Sequence, residues 1–304
     1  VERKVAFWLV LVVGAVAVWE SWESFRPLVV RDSDVRAVSQ LVRASYEPGT
    51  LIEVTPDWAS PLFRRELGEF MPADHLGRAD SKPFARITEI AFGKNRTLEF
   101  LGFPSDALVE ERRIGPWFLR RYRQTPVLVT FDLTEHLLDA TVSQTAEGLS
   151  ESEWPCVWSG PLPSVVPKPG PLGGFVCEQT RVERRTMEID YKPRRGMVVE
   201  LKTKQRTRVR FSIPDAAWRG STLHLWLGLH DFHQRKQARG PARVLVDLDD
   251  GQQTREFQVD PTQGFELQTI PLPTTSSEVH HLRMEFFAEH PPHHFVGVHG
   301  ELRR

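Results

Sequence analysis

Pro56-Asp57-Trp58-Ala59-Ser60 places a carboxylate, an indole and a hydroxyl side by side where a short apolar strand gives way to a helix. In open α/β units such strand-to-helix turns are where ligands sit, and the free N–H groups of the first helical turn attract an anion. Arg64, one turn further on, can add a guanidinium to that field, and Trp58 can stack on a sugar ring. Asp57, Trp58, Ser60 and Arg64 are therefore one candidate ligand site. In the plainer reading Ser60 only caps the helix, Trp58 packs between domains and the arginines are solvated.

A second candidate lies late in the chain, where histidines accumulate. Leu223-His224-Leu225-Trp226-Leu227-Gly228-Leu229-His230 alternates with a period of two, so His224, Trp226 and His230 share one face of a strand and the leucines the other. An aromatic ring with polar neighbours on an exposed sheet face is the usual make-up of a carbohydrate-binding surface. His230-Asp231-x-His233 has the donor types for a transition metal, but outward imidazoles on a sheet need no ligand, and no metal site is assigned. His290-Pro291-Pro292-His293-His294 falls in a loop, because the prolines prevent regular structure. Asp247-x-Asp249-Asp250 is followed by Gly251 and reads as a hairpin turn rather than a metal motif. Arg112-Arg113 and Arg120-Arg121-x-Arg123, interleaved with Trp117, Phe118 and Tyr122, read as a solvated strand face. Nucleophile-elbow, zincin, P-loop and dinucleotide-glycine signatures are absent, so no catalytic residue and no cofactor is expected from motifs.

The elements that must carry these residues form a mixed α+β chain. Val35, Val38, Leu41 and Val42 repeat at helical spacing, Leu51–Val54 is a short strand, Leu62, Phe63, Leu67 and Phe70 mark a second helix, and Arg86–Phe92 is a second strand. That order predicts a small α/β unit with parallel strands, extended by strand-like pieces at Leu98–Phe100, Trp117–Tyr122 and Val127–Phe131. From Arg208 onward, short alternating strands recur at even spacing, the signature of an antiparallel β-sandwich of jelly-roll type. The expected boundaries are 1–25 for an N-terminal segment, 33–148 for the α/β unit, 149–180 for a Pro/Gly-rich connector and 181–304 for the sandwich.

The N-terminal segment sets the expected compartment. Val5 to Trp19 is an uninterrupted apolar run preceded by Arg3 and Lys4, which favours a cytoplasmic N-terminus. Trp19 and Trp22 suit an interfacial aromatic belt, so an uncleaved signal anchor crossing the lipid bilayer through residues 5–19 is preferred to a signal peptide cleaved after Ala17. The body is then expected to face the periplasm or exterior from the inner membrane. Cys156 and Cys177 are the chain's 2 cysteines, and in an exported chain they read as one disulfide. With 39 Lys+Arg against 40 Asp+Glu, nothing pulls the chain toward nucleic acid.

The block Pro61–Pro72, continuing through Gly77-Arg78-Ala79-Asp80 to the Arg86–Phe92 strand, resembles a group of uncharacterised exported bacterial proteins with an apolar anchor and a C-terminal jelly roll. Those proteins look like companions of polytopic glycosyltransferases that use polyprenyl-phosphate sugars, and the C-terminal module looks like a galactose-binding-type sandwich. The resemblance implies a non-catalytic, membrane-anchored accessory protein that recognises glycans or a glycan-assembling membrane partner. Two alternatives remain open at this point: an enzyme on an envelope glycan or sugar phosphate, and a structural envelope protein without a small ligand.

Overall fold

The computed structural model describes residues 30–72, 75, 77–93, 105–145, 153–160, 173–178, 180–189, 192–230, 232–274 and 277–304. The expected anchor and the expected strand Leu98–Phe100 lie outside the described residues, and no helix among those residues is long and apolar enough to cross a membrane. Two compact units divide the chain, residues 1–75 with 84–126 and residues 76–83 with 127–304.

In the first unit, α1 (Asp32–Ala44) buries Val35, Val38 and Val42, the i, i+3, i+7 stripe that its sequence announces. Strand β1 (Thr50–Thr55) leads through a 3₁₀ turn at Asp57–Ala59 into α2 (Ser60–Leu67), which buries Phe63 and Leu67. Then come β2 (Arg86–Phe92), β3 (Leu108–Ile114) and β4 (Trp117–Arg123), giving a four-stranded sheet in the order β1-β2-β4-β3. β1 and β2 run parallel with Thr50 opposite Arg86, as a strand–helix–strand crossover requires, while β3 and β4 form a hairpin. β3 went unseen in the sequence because Leu108-Val109-Glu110-Glu111-Arg112-Arg113-Ile114 offers no apolar alternation. Its charges face their partners on β4 instead.

The second unit is an antiparallel sandwich. Its strands are β5 (Val129–Asp132), β6 (Thr141–Thr145), β7 (Glu153–Pro155), β8 (Val157–Ser159), β9 (Gly174–Val176), β10 (Arg181–Ile189), β11 (Lys192–Leu201) and β12 (Arg206–Pro214). After the short helix α3 (Asp215–Trp218) follow β13 (Thr222–Leu229), α4 (Phe232–Gln237), β14 (Ala242–Leu248), β15 (Gln253–Val259), β16 (Glu266–Pro271), β17 (Val279–Ala288) and β18 (His294–Arg303). One sheet has the order β16-β13-β18-β11-β10-β9-β8, with β5 also on β18; the other has β15-β14-β17-β12-β6-β7. The inward residues of both sheets, among them Leu223, Leu225, Val296 and Val298 facing Val209, Phe211, Met284 and Phe286, make one core.

The sandwich therefore begins near residue 127 rather than 181. β5 and β6 pair with β18 and β12, and Phe131, Leu133, Leu137 and Val142 enter its core. The expected connector is likewise built into it. β7 pairs with β6 in one sheet, β8 pairs with β9 in the other, and Cys156 sits between them. Cys156 and Cys177 are disulfide-bonded, with Cα atoms 4.5 Å apart and a sequence separation of 21. Three-residue strands carry too little alternation to be read, and the disulfide fastens the place where the chain steps from one sheet to the other.

Outside the core, buried charges are matched. Glu285 on β17 is 3% exposed and accepts from Arg208 at 2.6 Å and from Arg206. Burial alone would raise its carboxyl, but hydrogen bonds and charge from the two arginines outweigh that and hold it below the ordinary carboxylate range. The folded state therefore binds this proton less readily than the unfolded chain. Its stabilisation is complete above the unfolded carboxylate value of about 4.3 and is lost as pH falls through the lower folded value. Glu285→Gln should flatten the acid limb of unfolding free energy against pH, measured by urea denaturation; an unchanged slope would reject the assignment. Removing the disulfide by Cys156→Ala with Cys177→Ala should lower stability by about 3 kcal/mol in the same assay.

Candidate functional site

The Pro56–Ser60 turn stands where the sequence places it, at the junction of β1 and α2. Asp57 begins the 3₁₀ turn, and Ser60 is the first residue of α2 rather than its cap; the capping position belongs to Ala59, with no side-chain hydrogen bond. Trp58 is 55% exposed, with its ring edge-on to Phe92 at 5.3 Å and 6.5 Å from Trp117. Arg64 is exposed on α2. A cleft of about 240 Å³ in this unit lies elsewhere, lined by Ser45, Glu47, Arg86, Glu110, Arg121 and Arg123 among others. Its cations are largely spent: Arg86 pairs with Glu47 at 2.8 Å and Arg121 with Glu110 at 2.6 Å.

Arg123 on β4 and Arg112 and Arg113 on β3 are exposed as a solvated face requires, but Arg120 is not. Arg120 is 4% exposed and Glu89, on β2 beside it, is fully buried; the pair meets at 3.2 Å, with Glu111 on Arg120 and the Tyr122 hydroxyl donating to Glu89 at 2.9 Å. Removing one member of such a pair strands the other without water, so Arg120→Ala should cost about 3–5 kcal/mol. The double variant Glu89→Gln/Arg120→Met should recover part of that loss, and chemical denaturation of the single and double variants measures both.

His224 and Trp226 share the outward face of β13, and His230 follows the strand's last residue. They are not an exposed platform. Trp226 is 5% exposed, beneath the Arg303 guanidinium at 4.8 Å and 5.4 Å from the His299 ring. Arg303 is held by both oxygens of Asp80, at 2.8 and 2.9 Å. His224 is half-buried, and burial followed by the Arg303 charge holds its imidazole below the ordinary value. His230 is buried just past the strand, where its N–H donates to the Phe295 carbonyl at 2.8 Å. The face of Trp226 that a sugar ring would need is thus covered.

A large opening in the sandwich lies at its loop end. A cleft of about 740 Å³ is lined by Lys204, between β11 and β12, by Lys236–Arg239, at the end of α4, and by Glu289–His293, between β17 and β18. Such a volume suits a ligand of several rings. The loops are shaped by their backbones: Gly240 and His293 have φ of 72° and 83°, and the His294 ring bonds the Gly240 carbonyl at 2.9 Å, joining the two loops. Among the described lining residues, Lys204, Lys236, Arg239, His290 and His293 stand with one carboxylate, Glu289, which is committed to Arg243 at 2.7 Å. Among the described residues, Lys204 and Arg239 form no ion pair. The cleft thus offers cationic donors to an anion. Sequence reading found its histidine loop but not its lysines and arginine, which come from separate loops and carry no local pattern. The Asp247–Gly251 stretch is a hairpin turn as expected: Asp249 accepts from His280 at 2.8 Å and Asp247 from the Gly251 N–H at 2.6 Å.

Fold and cleft together describe a β-sandwich with a ligand-sized opening among its loops. No protein-family model matches the chain, and no curated protein matches it by sequence. Solved structures similar to it include a carbohydrate-binding module of the β-sandwich superfamily, at 11% identity and a TM-score of 0.33 over 62% of this chain and 66% of that one. Others are the tandem family-51 carbohydrate-binding modules of a family-98 glycoside hydrolase from Streptococcus pneumoniae (10% identity, TM-score 0.30, 54% of this chain and 48% of that one). A third is a pair of domains, one a family-51 carbohydrate-binding module, from Clostridium perfringens (9% identity, TM-score 0.28, 39% of this chain and 25% of that one). The chain spans between a quarter and two thirds of the length of these structures, and its sandwich architecture stands on its own strand pairing.

Proposed function

We propose that the sandwich is a non-catalytic recognition module that takes an acidic glycan in the loop-end cleft. The observation that carries this reading is the cleft of about 740 Å³ in which Lys204 and Arg239 form no ion pair among the described residues, while Glu289, a lining carboxylate, is already committed to Arg243. Lys and Arg offer charge-assisted hydrogen bonds to a carboxylate, sulfate or phosphate on a sugar, and the loop imidazoles add donors or acceptors for hydroxyls. Hydrolysis of a glycoside ordinarily needs two carboxyl groups facing the bond, whereas this lining is equipped to hold an anion.

In the same reading the apolar segment 5–19 anchors the chain in the cytoplasmic membrane, and the folded body faces the periplasm or exterior. The Cys156–Cys177 disulfide supports an oxidising compartment. The module would present an envelope glycan to a glycan-assembling membrane partner, a polytopic glycosyltransferase being the kind the resemblance of residues 61–92 suggests.

Calorimetric titration of the purified chain with an oligogalacturonate, against neutral galactan as control, tests the cleft. Binding should favour the acidic oligosaccharide and weaken with added salt, and Lys204→Ala with Arg239→Ala should reduce affinity at least about tenfold, equivalent to 1.4 kcal/mol. Equal binding of both sugars, or binding untouched by the double variant, would sink the proposal.

A further inference from the structure

A second site is built on the outer face of the eight-stranded sheet, away from the loop-end cleft. Along one edge of β18, β11 pairs as far as Met197 opposite Val298, and β5 takes over at Asp132 opposite Glu301. His299 falls at the gap between them and is 5% exposed. Its Nδ1 lies 3.1 Å from the carbonyl oxygen of Arg195, which can only accept, so Nδ1 carries a proton. Its Nε2 lies 2.8 Å from Glu301 Oε1, another acceptor. With a neutral imidazole, two lone pairs therefore converge on one point. Asp132 brings a third donor atom, and the ligand atoms of Asp132, His299 and Glu301 all lie within 4.8 Å of one another.

Each of the three is held from behind. Asp132 Oδ1 accepts the backbone N–H groups of Thr134 and Glu135 at 2.7 and 3.3 Å, and the second oxygen of Glu301 accepts from Arg303 at 2.7 Å. A ligating histidine ordinarily donates its other nitrogen to a carbonyl or carboxylate, and ligating carboxylates are hydrogen-bonded in turn; the same arrangement stands here. Asp80 and Glu301 share the guanidinium of Arg303, while the Arg195 side chain is paired with Glu135 at 2.6 Å. Lys82 is exposed, and His224 is half-buried.

We propose that Asp132, His299 and Glu301 bind a divalent transition metal, of the class that accepts one imidazole nitrogen and carboxylate oxygens, such as Zn²⁺ or Co²⁺. The metal takes the place that a second imidazole proton would otherwise fill. This assignment does not depend on the glycan reading.

The test is titration of the chelator-stripped full chain with Zn²⁺ in sugar-free buffer, followed by calorimetry and by the ¹⁵N resonances of the histidine side chains. One equivalent should bind, and the His299 Nε2 resonance should move to its metal-bound position. Asp132→Asn, which keeps an oxygen for the turn's N–H groups, should weaken binding at least about tenfold. His290→Ala with His293→Ala, which removes two histidines of the loop, should leave that equivalent in place. A His299 ring that stays doubly protonated through the titration, or binding abolished by the loop variant and untouched by Asp132→Asn, overturns the site. The wild-type resonance decides the matter even where a variant fails to fold, and a negative result leaves the loop-end cleft unaffected.

Discussion

Strand β18 is hydrogen-bonded along both edges, to β13 on one side and to β11 and then β5 on the other, and nearly every residue in it is buried. Its inward residues Val296, Val298 and Leu302 complete the apolar core, so alternation obliges His299, Glu301 and Arg303 to point the other way. Ionic groups in a buried strand are costly unless each finds a partner. The chain meets that demand with Asp80, delivered by the segment 76–83, whose Gly77 carbonyl accepts from Arg195 and whose Arg78 carbonyl accepts from Arg194. The ionic row on β18 thus explains why a short stretch from the middle of the first unit's sequence belongs to the sandwich.

The other half of the same face is closed by a different means. Met187 and Ile189, near the tip of the β10–β11 hairpin, lie over a floor made by glycines on neighbouring strands, with Phe265 and Phe295 beside them. A Cβ on Gly297 would sit 2.5 Å from the Met187 sulfur, and one on Gly228 would sit 2.9 Å from the Gly264 carbonyl oxygen. Side chains at either position would lift the hairpin off the sheet and expose the methionine and isoleucine. Burial of each is worth roughly 1.5–3 kcal/mol, so glycine is retained despite its entropy cost.

Period-two alternation made the strands from Arg206 to Ala288 legible, and with them which residues of β13 point outward. It could not reveal whether outward means exposed. Trp226 is covered by Arg303, and Arg303 is held by Asp80, a residue far upstream with no local mark of that role. The parallel β1–β2 pair was legible because both strands and the intervening helix carry clean apolar periods. β10, β11 and β18 were harder, since their buried outer faces carry charged or small residues where alternation would look for polar solvent-facing ones. The basic run on β4 misled for the same reason, its partner Glu89 lying on another strand. The loop-end cleft was legible only as a histidine loop, because a cavity is a property of three loops together.

These constraints bear on where a ligand can be taken. A sandwich has two outer faces and two loop ends, and one face of this one is filled: apolar side chains close half of it and an ionic network the other half. A sugar approaching that face would have to displace Arg303 from Trp226 and leave Asp80 and Glu301 without their shared cation, which costs more than stacking on one ring returns. The loop end asks for no such exchange. Lys204 and Arg239 already stand in solvent, and the Gly240–His294 bond fixes two of the three loops before anything binds. The sealed face follows from the requirement that the charges on the central strand be neutralised, and the loop end lies outside that network.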